Sequence, residues 1–319
     1  MGKIKLFTHG ADLDGVGCSI LAYLAFGREN VDVEYCNYDD VDGKIRKFYL
    51  CDNPEEYDAI YITDISVDKE VAAEIDLLVT AGQKWRLFDH HATALWLNQY
   101  EWCEVRVDYD NGLKTSGTEL FYDYLFRNRY LDKHKDWKLF NINNFVIMVR
   151  DYDTWRWKEL KYTGFKCKKL NDLFLIYGRY DFIDWVLVHI EKPNIFPDFS
   201  EIDEALLKIK QKEISSYIEC RDKQLVEKVD KFGYKYGFVF SDRYASELGN
   251  YLSESHPELD YIAMVNVSNG TVSYRTVKED IDLGCEIAHS YGGGGHKKAA
   301  GSQFDISVIR DLVIREVFG

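Results

Sequence analysis

The chain has 319 residues with 54 acidic and 40 basic side chains, a formal charge of −14, and is long enough for two domains that each bury a core. That charge argues against a protein that coats long duplex nucleic acid, whose affinity comes mainly from Lys and Arg neutralising phosphates. Seven cysteines stand singly without a Cys-x-x-Cys pair, and no uncharged apolar run nears the ~18 residues of a membrane span. Neither a disulfide framework nor a zinc knuckle is suggested, and a soluble cytoplasmic protein is expected.

The first strand is predicted over residues 4–8, and at its end stands His9-Gly10-Ala11-Asp12-Leu13-Asp14-Gly15. A helix near 16–26 leads to a second strand over 31–35. A third strand over 59–63 ends in Asp64, a helix near 69–79 follows, and a fourth strand over 85–88 runs into Asp89-His90-His91. Strands and helices alternating at this spacing predict parallel βαβ units and a doubly wound α/β sheet. Ser116 and Thr118 are capping candidates for a helix from Glu119, after which the pattern is helical to 192. Inside this region the apolar run 145–149 precedes two acids, Asp151 and Asp153. Residues 199–232 are charged, lack proline and carry apolar residues at helical spacing (Ile202, Leu206, Ile209, Ile214, Ile218), which predicts a long helix joining two domains. A smaller α/β domain is expected beyond it. Its predicted strands cover 237–240, 261–267 and 272–276, with a hairpin signal at Ser268-Asn269-Gly270-Thr271 and helices near 246–253 and 283–290. The expected boundaries are 1–195, 196–233 and 234–319.

Carboxylates and imidazoles at the carboxyl ends of parallel strands point into the crevice where open α/β sheets bind ligands. Like charges packed there repel, so a dense group implies cations between them. Each piece has a plainer alternative: an Asp after a strand is often only a helix N-cap, and a lone His in a turn is more often structural. A His-His pair after one strand, matched by a His and two Asp after another, is harder to assign to capping and packing. The set His9, Asp12, Asp14, Asp64, His90 and Asp153 suffices to hold two divalent ions with Asp64 as a bridge. Mixed oxygen and imidazole ligation suits Mn²⁺, with Mg²⁺, Co²⁺ or Zn²⁺ as competitors. Further on, the glycine run Gly292 to Gly295 precedes His296-Lys297-Lys298. Such a run can approach a ligand closely and present N–H groups to a phosphate, although as a bare pattern it would also serve as a linker.

These motifs, in this order, resemble those of the DHH phosphoesterases, and residues 292–301 resemble the signature of their companion DHHA1 domain. The resemblance spans residue 4 to about 305. It departs from the commoner spacing in that His9 lies three rather than four residues before Asp12, and Asp151 and Asp153 offer two acids where the family uses one. Asp153 is taken as the ligand because Asp153-Thr154 resembles the Asp-Thr step of the nano-RNase branch. The resemblance implies a doubly wound DHH domain, a DHHA1 domain, and two-metal hydrolysis of a short single-stranded oligonucleotide from one end to mononucleotides, RNA favoured over DNA. It also implies that Arg275, on the Ser273-Tyr274-Arg275 strand, faces the substrate with Gly293, Gly294, Gly295 and His296, the spacing of the two domains setting the bound length. Asp89 is read as orienting a histidine, and His91 as contacting the scissile phosphate or protonating the leaving oxygen. Alternatives are a RecJ-like single-stranded DNA exonuclease, a pAp phosphatase or cyclic-dinucleotide phosphodiesterase, and a nucleotide-binding protein without turnover. A monomer or homodimer is expected.

Overall fold

The computed structural model describes residues 2–52, 54–161 and 163–319. The chain divides into two units, Met1–Leu207 and Lys208–Gly319. No helix among the described residues is long and apolar enough to cross a membrane.

In the first unit β1 (Lys3–His9), β2 (Val31–Cys36), β3 (Tyr57–Thr63), β4 (Trp85–Asp89) and the short β5 (Cys103–Val105) form one sheet in the order β2-β1-β3-β4-β5. All of its pairings are parallel. The helices between the strands are α1 (Leu13–Phe26), α2 (Val41–Cys51) and α3 (Lys69–Thr80). Each βα step returns the chain to the same edge, so every strand ends on one side. Successive side chains of β1 alternate between two cores. Ile4 and Leu6 pack with α1 and the later helices α4 (Gly117–Arg127), α5 (Asp136–Asp153) and α6 (Gly164–Ile190), while Phe7 packs with Ile45 and Phe48 of α2 and Val71 and Ile75 of α3. Both faces of the sheet are therefore covered, and only its strand ends remain for a site. The order reverses between β1 and β3, the switch point where such sheets open a crevice.

The second unit holds a six-stranded sheet. Beyond α7 (Glu201–Asp222), which crosses from one unit into the other, it comprises β6 (Val226–Val229), β7 (Lys235–Phe240), α8 (Ala245–Ser255), β8 (Tyr261–Asn266), β9 (Thr271–Arg275), β10 (Gly294–His296), β11 (Ala299–Gln303) and a C-terminal α9 (Ile306–Val313). The strand order is β10-β11-β9-β8-β7-β6, with only β7 and β8 parallel.

Two sequence readings are corrected. The helix predicted over 199–232 ends at Asp222, and β-branched Val226 and Val229 form a strand paired to β7. Asp230 closes this hairpin by accepting the N–H groups of Phe232 (2.8 Å) and Tyr234 (2.9 Å), an Asx turn that competes with helix. The glycine run is not wholly a loop: Gly292 turns in the left-handed region (φ 73°), and Gly294–His296 then pair with β11 as the edge strand.

Candidate metal centre and active site

Three strand ends and the end of one helix supply the centre. His9 is the last residue of β1, and Asp12 caps α1 by accepting the Gly15 N–H (3.1 Å). A Cβ at Gly15 would lie 2.1 Å from the His9 carbonyl oxygen, so the turn between strand and helix closes only on glycine. Asp14, 1% exposed, accepts the N–H groups of Gly117 (2.6 Å) and Thr118 (2.8 Å) at the start of α4, where free amides favour a carboxylate. Beneath the site Thr8 and Thr63 bond each other (2.9 Å) and Thr8 donates to the Gly15 carbonyl (2.8 Å), tying β1, β3 and α1 into one block.

Asp64 leaves β3 in the left-handed region (φ 56°), a conformation that costs energy for a non-glycine residue and that Asp tolerates better than most. Its N–H donates to the Phe88 carbonyl on β4 (2.9 Å). The carboxylate is 1% exposed, yet Oδ2 has no hydrogen-bond partner among the described residues. Around it stand three overlapping groups whose ligand atoms lie within 4.8 Å of one another: His9, Asp12 and Asp64 in the first, Asp14, His90 and Asp153 in the second, and Asp64, Asp89, His90 and His91 in the third. Asp64 reaches the first two, with Oδ2 3.8 Å from His9 Nδ1 and Oδ1 3.3 Å from His90 Nε2. His90 Nε2 is also 3.6 Å from Asp14 and 3.7 Å from Asp153.

All six residues singled out as metal ligands thus meet at the switch point. The two acids near the end of α5 separate clearly. Asp153 joins His90, whereas Asp151 accepts two bonds from Arg150 (3.0 and 2.8 Å) and one from Arg156 (3.2 Å), Arg150 also being held by Glu119 (2.6 Å). Asp151 anchors the helix end beside the site rather than entering it.

The electrostatics suit a cation. Burial, then the neighbouring Asp14 and Asp12 charges, push both Asp64 and Asp153 well above the ordinary carboxylate range. Burial also acts on Asp12, but the hydrogen bond and charge of His9 (2.9 Å) outweigh it and hold that group low. A buried Oδ2 without a donor, carboxylates crowded together and a mixed oxygen and imidazole set fit divalent cations of the Mn²⁺ or Mg²⁺ kind.

Asp89, fully buried, organises the neighbouring histidine. Its Oδ1 accepts the His90 N–H (2.7 Å) and His91 Nδ1 (2.7 Å), while Ser66 donates to Oδ2. Burial disfavours the imidazolium of His91, yet the Asp89 hydrogen bond and charge prevail and push it up to about 9. The ring is therefore fixed with Nε2 outward. Three contributors escape sequence reasoning: Ser66, Gly117 and Tyr38, the last having its hydroxyl 3.2 Å from His91 Nε2. Tyr38 was signalled by its place just past a predicted strand end, on the edge that carries the acids.

In the second unit Arg275 ends β9. Its guanidinium donates to the Tyr274 carbonyl (2.8 Å) and Ser246 Oγ (3.4 Å), leaves a buried Nε without a partner, and faces no carboxylate at ion-pair distance among the described residues. Burial alone lowers its pKa. Gly293 packs where a Cβ would lie 2.0 Å from the Gly301 carbonyl oxygen, while Gly294 is open to solvent.

No family model matches the sequence. Oligoribonuclease NrnB of Bacillus subtilis is 36% identical over 316 residues, covering 98% of this chain and 75% of that protein. Among solved structures, the DHH domain of PF0399 superposes with a TM-score of 0.63 at 13% identity, over 98% of this chain and 85% of the other. Exonuclease RecJ bound to manganese gives 0.55 at 13% identity over 98% and 89%. A pGpG-specific phosphodiesterase from Vibrio gives 0.52 at 15% identity over 98% of each. The structural likenesses establish the fold, and the near full-length sequence relative narrows the branch. The chain belongs to the DHH/DHHA1 phosphoesterase family, in the nano-RNase branch that includes oligoribonuclease NrnB.

Proposed function

We propose that the protein is a divalent-metal-dependent phosphodiesterase that hydrolyses short single-stranded oligonucleotides, RNA in preference to DNA, from one end to mononucleotides. The observation that carries this reading is Asp64, whose two oxygens reach two separate ligand groups while one of them has no hydrogen-bond partner. His9, Asp12 and Asp64 would hold one Mn²⁺, and Asp14, His90, Asp153 and the shared Asp64 a second. When bound, the ions supply Lewis acidity that activates water and neutralises charge on the phosphate. Asp89 fixes the His91 ring through Nδ1, so that Nε2 holds a proton for the leaving oxygen. Arg275 and the Gly293 to His296 segment bind a substrate phosphate, which suits a buried guanidinium lacking an acidic partner among the described residues.

The test is product analysis on labelled RNA and DNA from dinucleotides to 25-mers with Mn²⁺. With a formal charge of −14, added phosphates gain no matching cations, so catalytic efficiency should peak at about two to five nucleotides and the penalty on longer strands should ease with salt. Efficiency rising steadily to 20-mers would move the assignment to a RecJ-like exonuclease.

A further inference from the structure

The loop between β2 and α2 carries an aromatic ring that the chemistry above does not use. Tyr38 is 61% exposed, although it stands against the ligand cluster. Its ring centroid lies 5.1 Å from that of His9 at a 42° tilt and 6.0 Å from that of His91 edge-on. The hydroxyl is tethered 3.2 Å from His91 Nε2. The loop beneath is a closed turn: Asp40 accepts the Asn37 N–H (2.8 Å), the Asp40 N–H donates to the Asn37 carbonyl (3.1 Å), and Lys44 clamps Asp40 (2.7 Å) and the Tyr35 carbonyl (2.8 Å). The Gly10 N–H further ties the metal-ligand loop to the end of β2 through the Cys36 carbonyl (3.1 Å). One side of the ring is therefore braced on histidine, its tip is held, and the rest faces solvent. A large aromatic surface so exposed and so well fixed contributes little to the core. It is a ready platform, because ordering it on binding costs almost no side-chain entropy.

We propose that Tyr38 is the stacking surface for the nucleobase next to the scissile phosphate. The inference rests on the hydrolase reading above and adds the means by which the site grips its substrate. A phosphate at the carboxylate and imidazole cluster has its flanking base one ribose away, and among the described residues Tyr38 is the tyrosine, phenylalanine or tryptophan ring packed against both His9 and His91. Stacking of this kind is tolerant of base identity, since every base has a π-face. The site therefore gains affinity for any nucleotide at this position without reading its sequence.

The test compares wild-type protein, Tyr38→Ala and Tyr38→Phe on two substrates with Mn²⁺: an RNA dinucleotide, and the same dinucleotide lacking the base beside the cleaved bond. Loss of the ring should raise KM for the base-bearing substrate on the order of tenfold more than for the abasic one, while Tyr38→Phe stays within about twofold of wild type on that ratio. Equal penalties on both substrates in Tyr38→Ala would overturn the proposal. So would a Tyr38→Phe variant as impaired as Tyr38→Ala, since the hydroxyl on His91 would then be the working group. Wild-type protein that cleaves neither substrate would overturn the hydrolase reading and this inference with it; cleavage of both at equal efficiency would overturn this inference alone.

Discussion

Replacing Asp64 by Asn should stabilise the metal-free protein and abolish its activity. The amide keeps the shape of the carboxylate and tolerates the left-handed backbone (φ 56°), so the fold is not asked to move. What changes is charge. Burial, reinforced by Asp14, Asp12, Cys18 and Asp153, raises the folded-state pKa of Asp64 well above its ordinary value. A group raised on folding contributes stability below its unfolded pKa, and that contribution is lost as pH rises through the folded value. Metal-free wild type at neutral pH therefore carries a penalty that the uncharged amide does not.

Relieving a buried carboxylate oxygen that has no hydrogen-bond partner should return on the order of 1–3 kcal/mol, a rise in Tm of roughly 2–12 °C for a unit of this size. With Mn²⁺ present the variant's advantage should shrink or reverse. Saturation at about a hundredfold over Kd adds about 2.7 kcal/mol to whichever protein binds the ion, and Asp64→Asn lacks the carboxylate proposed as the shared ligand. Its turnover should fall by several orders of magnitude. The assay is thermal unfolding after chelation, at pH 5 and pH 7.5, with and without Mn²⁺, beside hydrolysis of a dinucleotide. An Asp64→Asn protein less stable than wild type when metal-free, or one that gains as much Tm from Mn²⁺, would refute the electrostatic account of the centre.

Gly117→Ala places a Cβ 2.6 Å from Asp64 Cβ and disturbs the N–H that holds Asp14, so activity should collapse at a cost of about 1–3 kcal/mol in unfolding free energy; unchanged turnover would show that the contact relaxes freely. Arg275→Ala should raise KM for oligonucleotides far more than for bis-p-nitrophenyl phosphate, and equal losses on both would place Arg275 in the chemical step. His256 bonds Asp222 (2.7 Å), and this partner, opposed by burial, raises its pKa above 6.5. The pair's stabilisation, under about 1 kcal/mol for a partly exposed pair, is full below pH 6.5 and is lost as pH rises through the folded value. His256→Asn should flatten the unfolding free energy across that window, and an unaltered slope would remove the pair from the account.

Much of the site is legible because its residues follow strands. β1, β3 and β4 are readable as apolar runs, and whatever follows a parallel strand in a doubly wound sheet faces one edge, so His9, Asp12, Asp64 and His90 come together without knowledge of side-chain positions. The fourth acid is harder. Asp151 and Asp153 are two apart on a helix, nearly opposite in direction, so only one can reach the cleft. The choice depends on Arg150, Arg156 and Glu119, which are paired by tertiary contacts with no sequence signal. β5 has three residues, too few for a period, and α2 hides its spacing of Val41, Ile45 and Phe48 behind Gly43 and a cluster of basic residues. β6 is masked by charge: all four of its residues are exposed, so it lacks the alternation by which a strand is recognised.

The same placement explains why the centre and the fold pull against each other. The switch point between β1 and β3 is roofed by the start of α4, whose amides satisfy Asp14, and among the described residues no backbone amide donates to the carboxylate of Asp64 or Asp153. Those two carboxylates must lose protons before a cation can enter, so metal affinity should fall on acidification as protons compete for the ligands. Core packing above and below the sheet absorbs the penalty whenever the site is empty. A substitution that relieves it at Asp64 removes a carboxylate that reaches both His9 and His90, the proposed shared ligand, and stability gained there is gained by giving up the proposed chemistry.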